Sequence, residues 1–389
     1  MKTKLIRITT VPISLKVLLR QQLRFMSDHF EVLAVSSPGQ ILDEVSMAEG
    51  VRTTAVAMTR SITPVHDLKA LWRLYRLFLK EHPAIVHTHT PKAGLLGMIA
   101  ARLAGVPVRL HTVAGLPLME QRGWRKKILE CVERLTYTCA TRIYPNSGKL
   151  AAFLLEHKFC KPGKVQVLGN GSSNGIDTGF FQTNESLVQA ATTLQKKLAL
   201  EPRHFVFVFI GRLVKDKGIE ELVTAFTELK KTHQHIKLLL VGPYEPELDP
   251  LSEASITAIT NDNDIIQVDF QQDIRPWLLI SHALVFPSYR EGFPNVPMQA
   301  GCFQLPAIVT DINGCNEIIE QGQNGLLIPV KNKTALRDAM ETLLTNKALY
   351  AHMQTRARQL ITERYDQKHF WSLLLQEYHQ QLNQHSLVS

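Results

Sequence analysis

Between Ala283 and Pro329 the chain passes through strand, turn, helix, strand and turn in so few residues that a layered parallel fold is the natural outcome. Ala283-Leu284-Val285-Phe286 is a continuous apolar run, the pattern of a strand buried on both faces. The chain then turns at Pro287 and Ser288, passes a lone carboxylate, Glu291, and enters the tight turn Gly292-Phe293-Pro294-Asn295. Asn295 is a good N-cap and Pro297 is tolerated in a first turn, so a short helix is predicted from Asn295 to Gly301. Ala307 to Val309 forms a second strand, and another turn, Asn313-Gly314, precedes Glu317. In an open parallel sheet this order brings polar side chains and free backbone N–H groups to the carboxyl edge, where ligands bind. An anionic, hydroxyl-rich ligand such as a nucleotide sugar suits that edge.

A chain of 389 residues, 45% hydrophobic and 20% charged, has the composition of a folded soluble protein and the length of two domains. No apolar run approaches the roughly 18 residues of a membrane span. The opening MKTKLIRITTVPISLKVLL is interrupted by Arg7, threonines and Lys16, so it reads as a buried strand, Leu5 to Ile8, and not as a secretory signal. The five cysteines (131, 139, 160, 302 and 315) include no C-x-x-C pair, which argues for reduced thiols in a cytoplasmic protein. Residues 1–180 carry 25 Lys and Arg against 12 Asp and Glu; the remainder carries 19 against 23. Such a basic front half suits an anionic membrane surface, a phosphorylated substrate or nucleic acid, with a merely well-solvated surface as the plain alternative.

Within the front half, Thr10-Val11-Pro12-Ile13-Ser14 is a turn after the first strand, with Ser14 as the expected cap of a helix reaching Met26. The turn lacks the glycines of a dinucleotide fingerprint, which disfavours NAD. Phe30 to Ser36 is a second strand. His66 to Lys80 is amphipathic, and its stripe of Lys69, Arg73, Arg76 and Lys80 fits an ordinary surface helix better than a lipid contact. Strand Ala84 to His87 feeds His87-Thr88-His89-Thr90-Pro91-Lys92 and a packed small-residue helix, Ala93 to Ala104; strand Val108 to His111 follows. Strand alternation sends His87 and His89 to opposite faces, and no carboxylate or Cys is spaced to join them, so a metal is disfavoured. A hydrogen-bonding role in a crevice suits His111 better, with His89 second. A helix from Gln121 sets four cations around Trp124, and here a solvated face and a membrane interface remain open. Ile143 to Pro145 and Val165 to Leu168 close the first sheet, and Asn170 to Gly175 is a hinge.

Thr183 to Arg203 is polar and partly helical and reads as a linker, after which the buried strand Phe205 to Ile210 restarts the pattern. Gly211-Arg212-Leu213-Val214-Lys215-Asp216-Lys217-Gly218 connects that strand to the helix Ile219 to Lys230. Arg212 and Lys217 therefore lie at an edge where a pyrophosphate docks, and two cations can neutralise a departing diphosphate. Lys237 to Val241 and Ile265 to Val268 are further strands; Asp262-Asn263-Asp264, at the opposite edge, is a turn and not a metal-holding pair. Helices Lys333 to Thr345 and Tyr350 to Arg364 precede an aromatic amphipathic tail from Tyr365 to Gln384.

With these motifs in place, the chain resembles the family-4 retaining glycosyltransferases, over nearly its whole length. The most specific segments are G-R-L-x-x-x-K-G (Gly211 to Gly218), E-G-F-P-N (Glu291 to Asn295) and N-G-L-L-I-P (Asn324 to Pro329). His87 to Gly97 and Arg109 to Pro117 resemble a narrower subgroup that builds bacterial surface polysaccharides and lipid-linked oligosaccharides. Its members include the transferase adding N-acetylgalactosamine to undecaprenyl-diphosphate-bound bacillosamine. The resemblance implies an α/β fold of two facing Rossmann-like domains (the GT-B architecture): an acceptor-side domain in residues 1–182, a nucleotide-sugar domain in residues 183–365, and a helix in residues 366–389 returning to the first domain. It implies that Arg212 and Lys217 hold the donor diphosphate, that Glu291 contacts the donor sugar, and that the backbone of Gly292, Phe293, Pro294 and Asn295 holds sugar and phosphate. It also implies His111 near the reacting face of the sugar. The second Glu of the family's E-x7-E motif falls at Gln299, which still hydrogen-bonds a ribose diol but without charge assistance. Pro12, Ser14, His89 and Lys92 are the acceptor-side candidates.

The reaction so implied is hexosyl transfer, with retention, from a UDP-sugar to an undecaprenyl-diphosphate-linked saccharide, without metal or other cofactor. The enzyme is expected in the cytoplasm, peripheral on the inner face of the cytoplasmic membrane. Two rivals share the architecture: a nucleotide-sugar 2-epimerase, and a non-catalytic paralogue, for which Gln299 leaves room. Nucleic acid is not an expected partner, since no recognition motif accompanies the charge.

Overall fold

The computed structural model describes residues 2–116, 123–245, 247 and 249–386. Twelve strands form two parallel six-stranded sheets among these residues. In the first are β1 (Lys4–Ile8), β2 (Glu31–Ser36), β3 (Arg52–Ala55), β4 (Ile85–Thr88), β5 (Val108–Val113) and β6 (Arg142–Pro145), in the order β3-β2-β1-β4-β5-β6. The second holds β7 (Phe205–Ile210), β8 (Ile236–Val241), β9 (Ile265–Val268), β10 (Ala283–Phe286), β11 (Ala307–Thr310) and β12 (Gly325–Ile328), in the order β12-β11-β10-β7-β8-β9. Each sheet thus winds outward one way from its first strand and then the other way from its fourth. Between those two strands, β1 and β4 or β7 and β10, the connections part and leave a crevice at the carboxyl edge. The apolar runs predicted as strands fill these central positions: every residue of β10 is buried, as are Val206 to Ile210 of β7.

Two compact units follow, Met1–Gly175 with Gln367–Ser389, and Ile176–Asp366. The first break lies before the expected 182/183 boundary because Ile176 donates its N–H to Tyr365 O (2.8 Å) and Phe181 is buried in the second core. The segment read as a linker is the helix Glu185–Lys197, capped by the Asn184 side chain, and it buries Leu187 and Ala191 in the same unit. Val165 to Leu168 is not a sheet strand; Val165 makes only an isolated bridge to Ile143. The sixth position is taken instead by β3, whose Arg-Thr-Thr-Ala sequence carries no apolar signal because it forms a half-exposed edge.

The tail is the helix Gln367–Ser386. Phe370, Trp371, Leu374 and Tyr378 are buried with Leu5, Phe30, Ile85 and Leu110 of the first unit. Burial of each such side chain contributes about 1.5–3 kcal/mol. Polar contacts fix the register: Trp371 Nε1 donates to Asn174 Oδ1 (2.7 Å), Tyr144 OH to Glu377 Oε1 (2.9 Å), and Tyr378 OH pairs with His87 Nδ1 (2.6 Å).

Candidate active site

In the second unit the loops after β7 and β10 meet beside the crevice. Lys215–Lys217 forms one 3-10 turn that ends at Gly218, with φ +71°. A Cβ on Gly218 would lie 2.2 Å from Pro287 O, so only glycine lets the two loops close up. Tyr289 N–H donates to Asp216 O (2.8 Å), and the Arg290 guanidinium reaches Asp216 Oδ2 (3.0 Å). This brace brings Lys217 Nζ to 2.5 Å from Glu291 Oε1, each side chain about 15% exposed. Lys217 Nζ also lies 6.0 Å from the centre of the Phe286 ring. Arg212, more open to solvent, donates from Nη1 to Glu245 Oε2 at 2.9 Å. Two residues predicted from separate motifs are therefore in direct contact, and the third stands on the same loop as one of them.

Beyond Glu291 comes the helix Asn295–Cys302. Its N-cap is Pro294, extended at φ −75° and ψ 133°, and not Asn295, which is already helical; among the described residues no side chain caps the first turn. The first-turn N–H groups thus have no side-chain acceptor competing with a ligand. Gly292 is held through its carbonyl by Asn313 Nδ2 (2.7 Å), and Phe293 packs edge-on against Tyr365 with ring centres 5.6 Å apart. Pro294 is buried, Asn295 exposed, and Gln299 half-buried one turn further on. The Cys315 thiol is pushed well up by burial and then by the Glu291 charge, so a neutral thiol adjoins the ion pair.

In the first unit the crevice loops after β1 and β4 are joined by threonines. Thr10 N–H donates to Thr90 Oγ1 (3.0 Å), and the two hydroxyls are 2.7 Å apart. Pro12 opens the helix Pro12–Leu18 with Val11 as its N-cap. Ser14 is therefore not the cap; it lies inside the first turn and gives its N–H to Val11 O (3.0 Å). Lys92 is bound by Asp67, 2.7 Å from the carboxylate, and anchors the helix Pro64–Glu81. His87 and His89 do not point to opposite faces: their ring centres are 4.2 Å apart, because β4 ends at Thr88 and His89 has left strand geometry. His89 Nε2 accepts from the buried Arg7 Nε at 3.0 Å. His111 is buried against Thr88, whose hydroxyl lies 2.8 Å from Nδ1, and burial pulls its pKa down to about 4. The imidazole is thus neutral near pH 7, and a Cβ on Gly94 would come within 2.4 Å of its Cε1. Among the described residues no three His, Cys, Asp or Glu side chains gather as a metal site requires.

Gln121 and Arg122 lie outside the described residues; the helix runs from Gly123 to Cys139, with Trp124, Ile128 and Leu135 exposed. Val65, Leu68 and Trp72 are exposed on the helix Pro64–Glu81 as well.

Residues 191–360 match the model of the group 1 glycosyl transferases, and residues 19–171 that of the glycosyl transferase 4-like domain. Among solved structures, the Anabaena HepE protein in complex with UDP superposes with a TM-score of 0.80. The match covers 98% of this chain and 100% of that one at 17% identity, a likeness of fold. Over 372 residues the chain is 31% identical to the capsular polysaccharide biosynthesis glycosyltransferase CapM of Staphylococcus aureus, spanning 95% of each. The chain belongs to the GT-B glycosyltransferases. A second relative of this glycosyltransferase is the UDP-Gal:α-D-GlcNAc-diphosphoundecaprenol α-1,3-galactosyltransferase of Escherichia coli. The two are 29% identical over 294 residues, which cover 75% of this chain and 74% of the other. Sequence reasoning missed Glu245 beside Arg212 and the Asp216–Arg290 brace. The position of Glu245 just past the buried β8 is the only signal that pointed to it.

Proposed function

We propose that this glycosyltransferase moves a hexosyl unit from a UDP-sugar to an undecaprenyl-diphosphate-linked saccharide, with retention and without metal. The observation that carries the reading is the Lys217–Glu291 contact at the β7/β10 crevice, with Arg212 on the same loop and an uncapped helix start beyond. The names of the two relatives, one a capsular polysaccharide enzyme and one acting on a diphosphoundecaprenol-linked sugar, support the acceptor class.

In this reading Lys217 and Arg212 neutralise the diphosphate as the glycosidic bond breaks. Glu291 accepts hydroxyls of the donor sugar, and the N–H groups from Gly292 to Asn295 hold sugar and phosphate. Gln299 hydrogen-bonds the ribose diol. The neutral His111 serves as a hydrogen-bonding partner of the donor sugar, and the departing phosphate takes the acceptor proton on the face of attack. Pro12 and Ser14 shape the acceptor side, where Lys92 and His89 act through Asp67 and Arg7. Exposed Trp124 and Ile128 beside Arg125, Lys126 and Lys127, with Trp72 and Leu68, fit the inner face of the cytoplasmic membrane.

The test is a panel of radiolabelled nucleotide sugars incubated with membrane lipid extract. Label is expected in the lipid fraction from one UDP-sugar. Conversion of the nucleotide sugar with no acceptor present makes the protein an epimerase instead, and donor binding without turnover makes it a non-catalytic paralogue.

A further inference from the structure

At the amino edge of the first sheet, the edge away from its crevice, lies a cavity of about 420 Å³ that has no part in the reaction described above. Among the described residues its lining includes four cations, Arg102, Arg109, Lys161 and Lys164, two aromatic rings, Tyr137 and Phe159, and no carboxylate. The volume falls within the range of small-molecule sites. Several other basic side chains of this unit meet acids: Lys4 and Arg52 pair with Glu81, Lys16 with Glu44, and Lys92 with Asp67. None of the four lining cations forms an ion pair among the described residues.

Some of their donors serve the fold. Arg109 gives Nε to Cys139 O (2.7 Å) and Nη1 to Val106 O (2.5 Å). Lys164 gives Nζ to Ala140 O (2.7 Å) and Tyr137 O (3.0 Å), at the carbonyl end of the helix Gly123–Cys139. Carbonyls at a helix C-terminus attract cations, and that accounts for these two. Among the described residues it leaves the Arg109 Nη2, the Arg102 Nη2 and the Lys161 Nζ without a protein acceptor. Burial and the neighbouring Arg102 lower the pKa of Arg109; burial and Arg109 do the same for Lys164. The cations of the cluster repel one another, and an anion would relieve that repulsion. Guanidinium forks match phosphate oxygens in pairs, and the exposed margin of the Phe159 ring, 5% exposed with Tyr137 buried behind it, gives a carbon skeleton an apolar contact.

We propose that this amino-edge cavity binds an organic phosphate, with Arg102, Arg109 and Lys161 on the phosphate and Phe159 against its carbon portion. The phosphate has two possible sources, a soluble ester or the headgroup of an anionic lipid. Arg102 and Lys161 are exposed and contribute little to the fold, so R102Q/K161Q keeps the chain folded, which a urea midpoint verifies. Isothermal titration of the full chain with inorganic pyrophosphate is expected to show a class of sites that R102Q/K161Q weakens roughly tenfold or more and K217A leaves intact. A failed donor assignment would alter only the K217A result, so the two readings fail separately. Sedimentation with vesicles of equal parts phosphatidylglycerol and phosphatidylcholine, against phosphatidylcholine alone, identifies the source. Pyrophosphate-sensitive vesicle binding that R102Q/K161Q loses assigns a lipid headgroup, and unchanged vesicle binding assigns a soluble ester. An unchanged pyrophosphate isotherm in R102Q/K161Q overturns the proposal whatever the vesicles do.

Discussion

Replacing Glu291 with Gln should separate two properties that usually fail together, nucleotide binding and transfer. The Lys217 charge is engaged by Glu291, 2.5 Å from its carboxylate, with each side chain about 15% exposed. Two unit charges at that distance attract by about 6–7 kcal/mol at an effective dielectric constant near 20, and desolvation offsets most of it. What remains is the net worth of a charge-assisted hydrogen bond, roughly 1.5–3 kcal/mol. In the proposed reading an incoming diphosphate shares Lys217 with Glu291 and meets the carboxylate's own charge. E291Q removes that competition and keeps the shape, so UDP should bind tighter by about 1–2 kcal/mol, near tenfold in Kd. Transfer should nevertheless fall by about a hundredfold or more, because the sugar loses its charged acceptor. K217A is the contrasting variant: it strands Glu291 unpaired beside the diphosphate, and UDP binding should weaken by about 2–3 kcal/mol. Titration calorimetry with UDP and a radiolabel transfer assay read the two effects separately. If E291Q weakens UDP as K217A does, Lys217 and Glu291 do not divide the donor between them and the assignment is wrong.

Gln299→Glu should tighten UDP by about 1 kcal/mol if this side chain reads the ribose, since a charged acceptor replaces a neutral one; an unchanged titration removes that role. His111, held near pKa 4 against an ordinary 6.5, binds its proton better in the unfolded chain. Stability from this group is therefore complete above about pH 6.5 and declines toward pH 4, by about 3 kcal/mol over the interval. Urea midpoints should fall on acidification, and H111N should flatten the fall only in part, because burial also holds the His87 and His89 pKa values well down. Gly94→Ala drives a methyl to within 2.4 Å of His111 Cε1 and should destabilise the first unit by about 1–3 kcal/mol in the same measurement. Charge reversal at Arg125, Lys126 and Lys127 should release the protein from anionic vesicles; retained sedimentation refutes the membrane contact.

The central strands of both sheets were legible because burial on two faces writes itself as an unbroken apolar run, as in Phe205 to Ile210. The edge strand β3 was not: it pairs on one side only and is half-exposed, so Arg52-Thr53-Thr54-Ala55 needs no apolar pattern. Val165 to Leu168 looked like a strand because its apolar residues pack, yet packing does not require a ladder. Residues in the loop after β7 and the turn after β10 stood out as candidates because a cation or carboxylate just past a buried strand has few structural uses. Their mutual contact was not, since it depends on strand order, which brings together segments far apart in the chain.

The histidines mark where one-dimensional reasoning fails. Alternation holds only while the backbone stays extended in the sheet, and β4 ends one residue before His89. The ring then turns back toward His87, and the pair joins a buried network that runs from Arg7 through His89 and from Thr112 through His87 to Tyr378 of the C-terminal helix. Both imidazoles are held neutral by burial and by the Arg7 charge. A neutral imidazole can donate at one nitrogen while accepting at the other, the arrangement needed to tie a strand end to a helix arriving from the far end of the sequence. The His87-Thr88-His89 segment therefore also serves, in this chain, as a clasp by which the first unit holds its last helix.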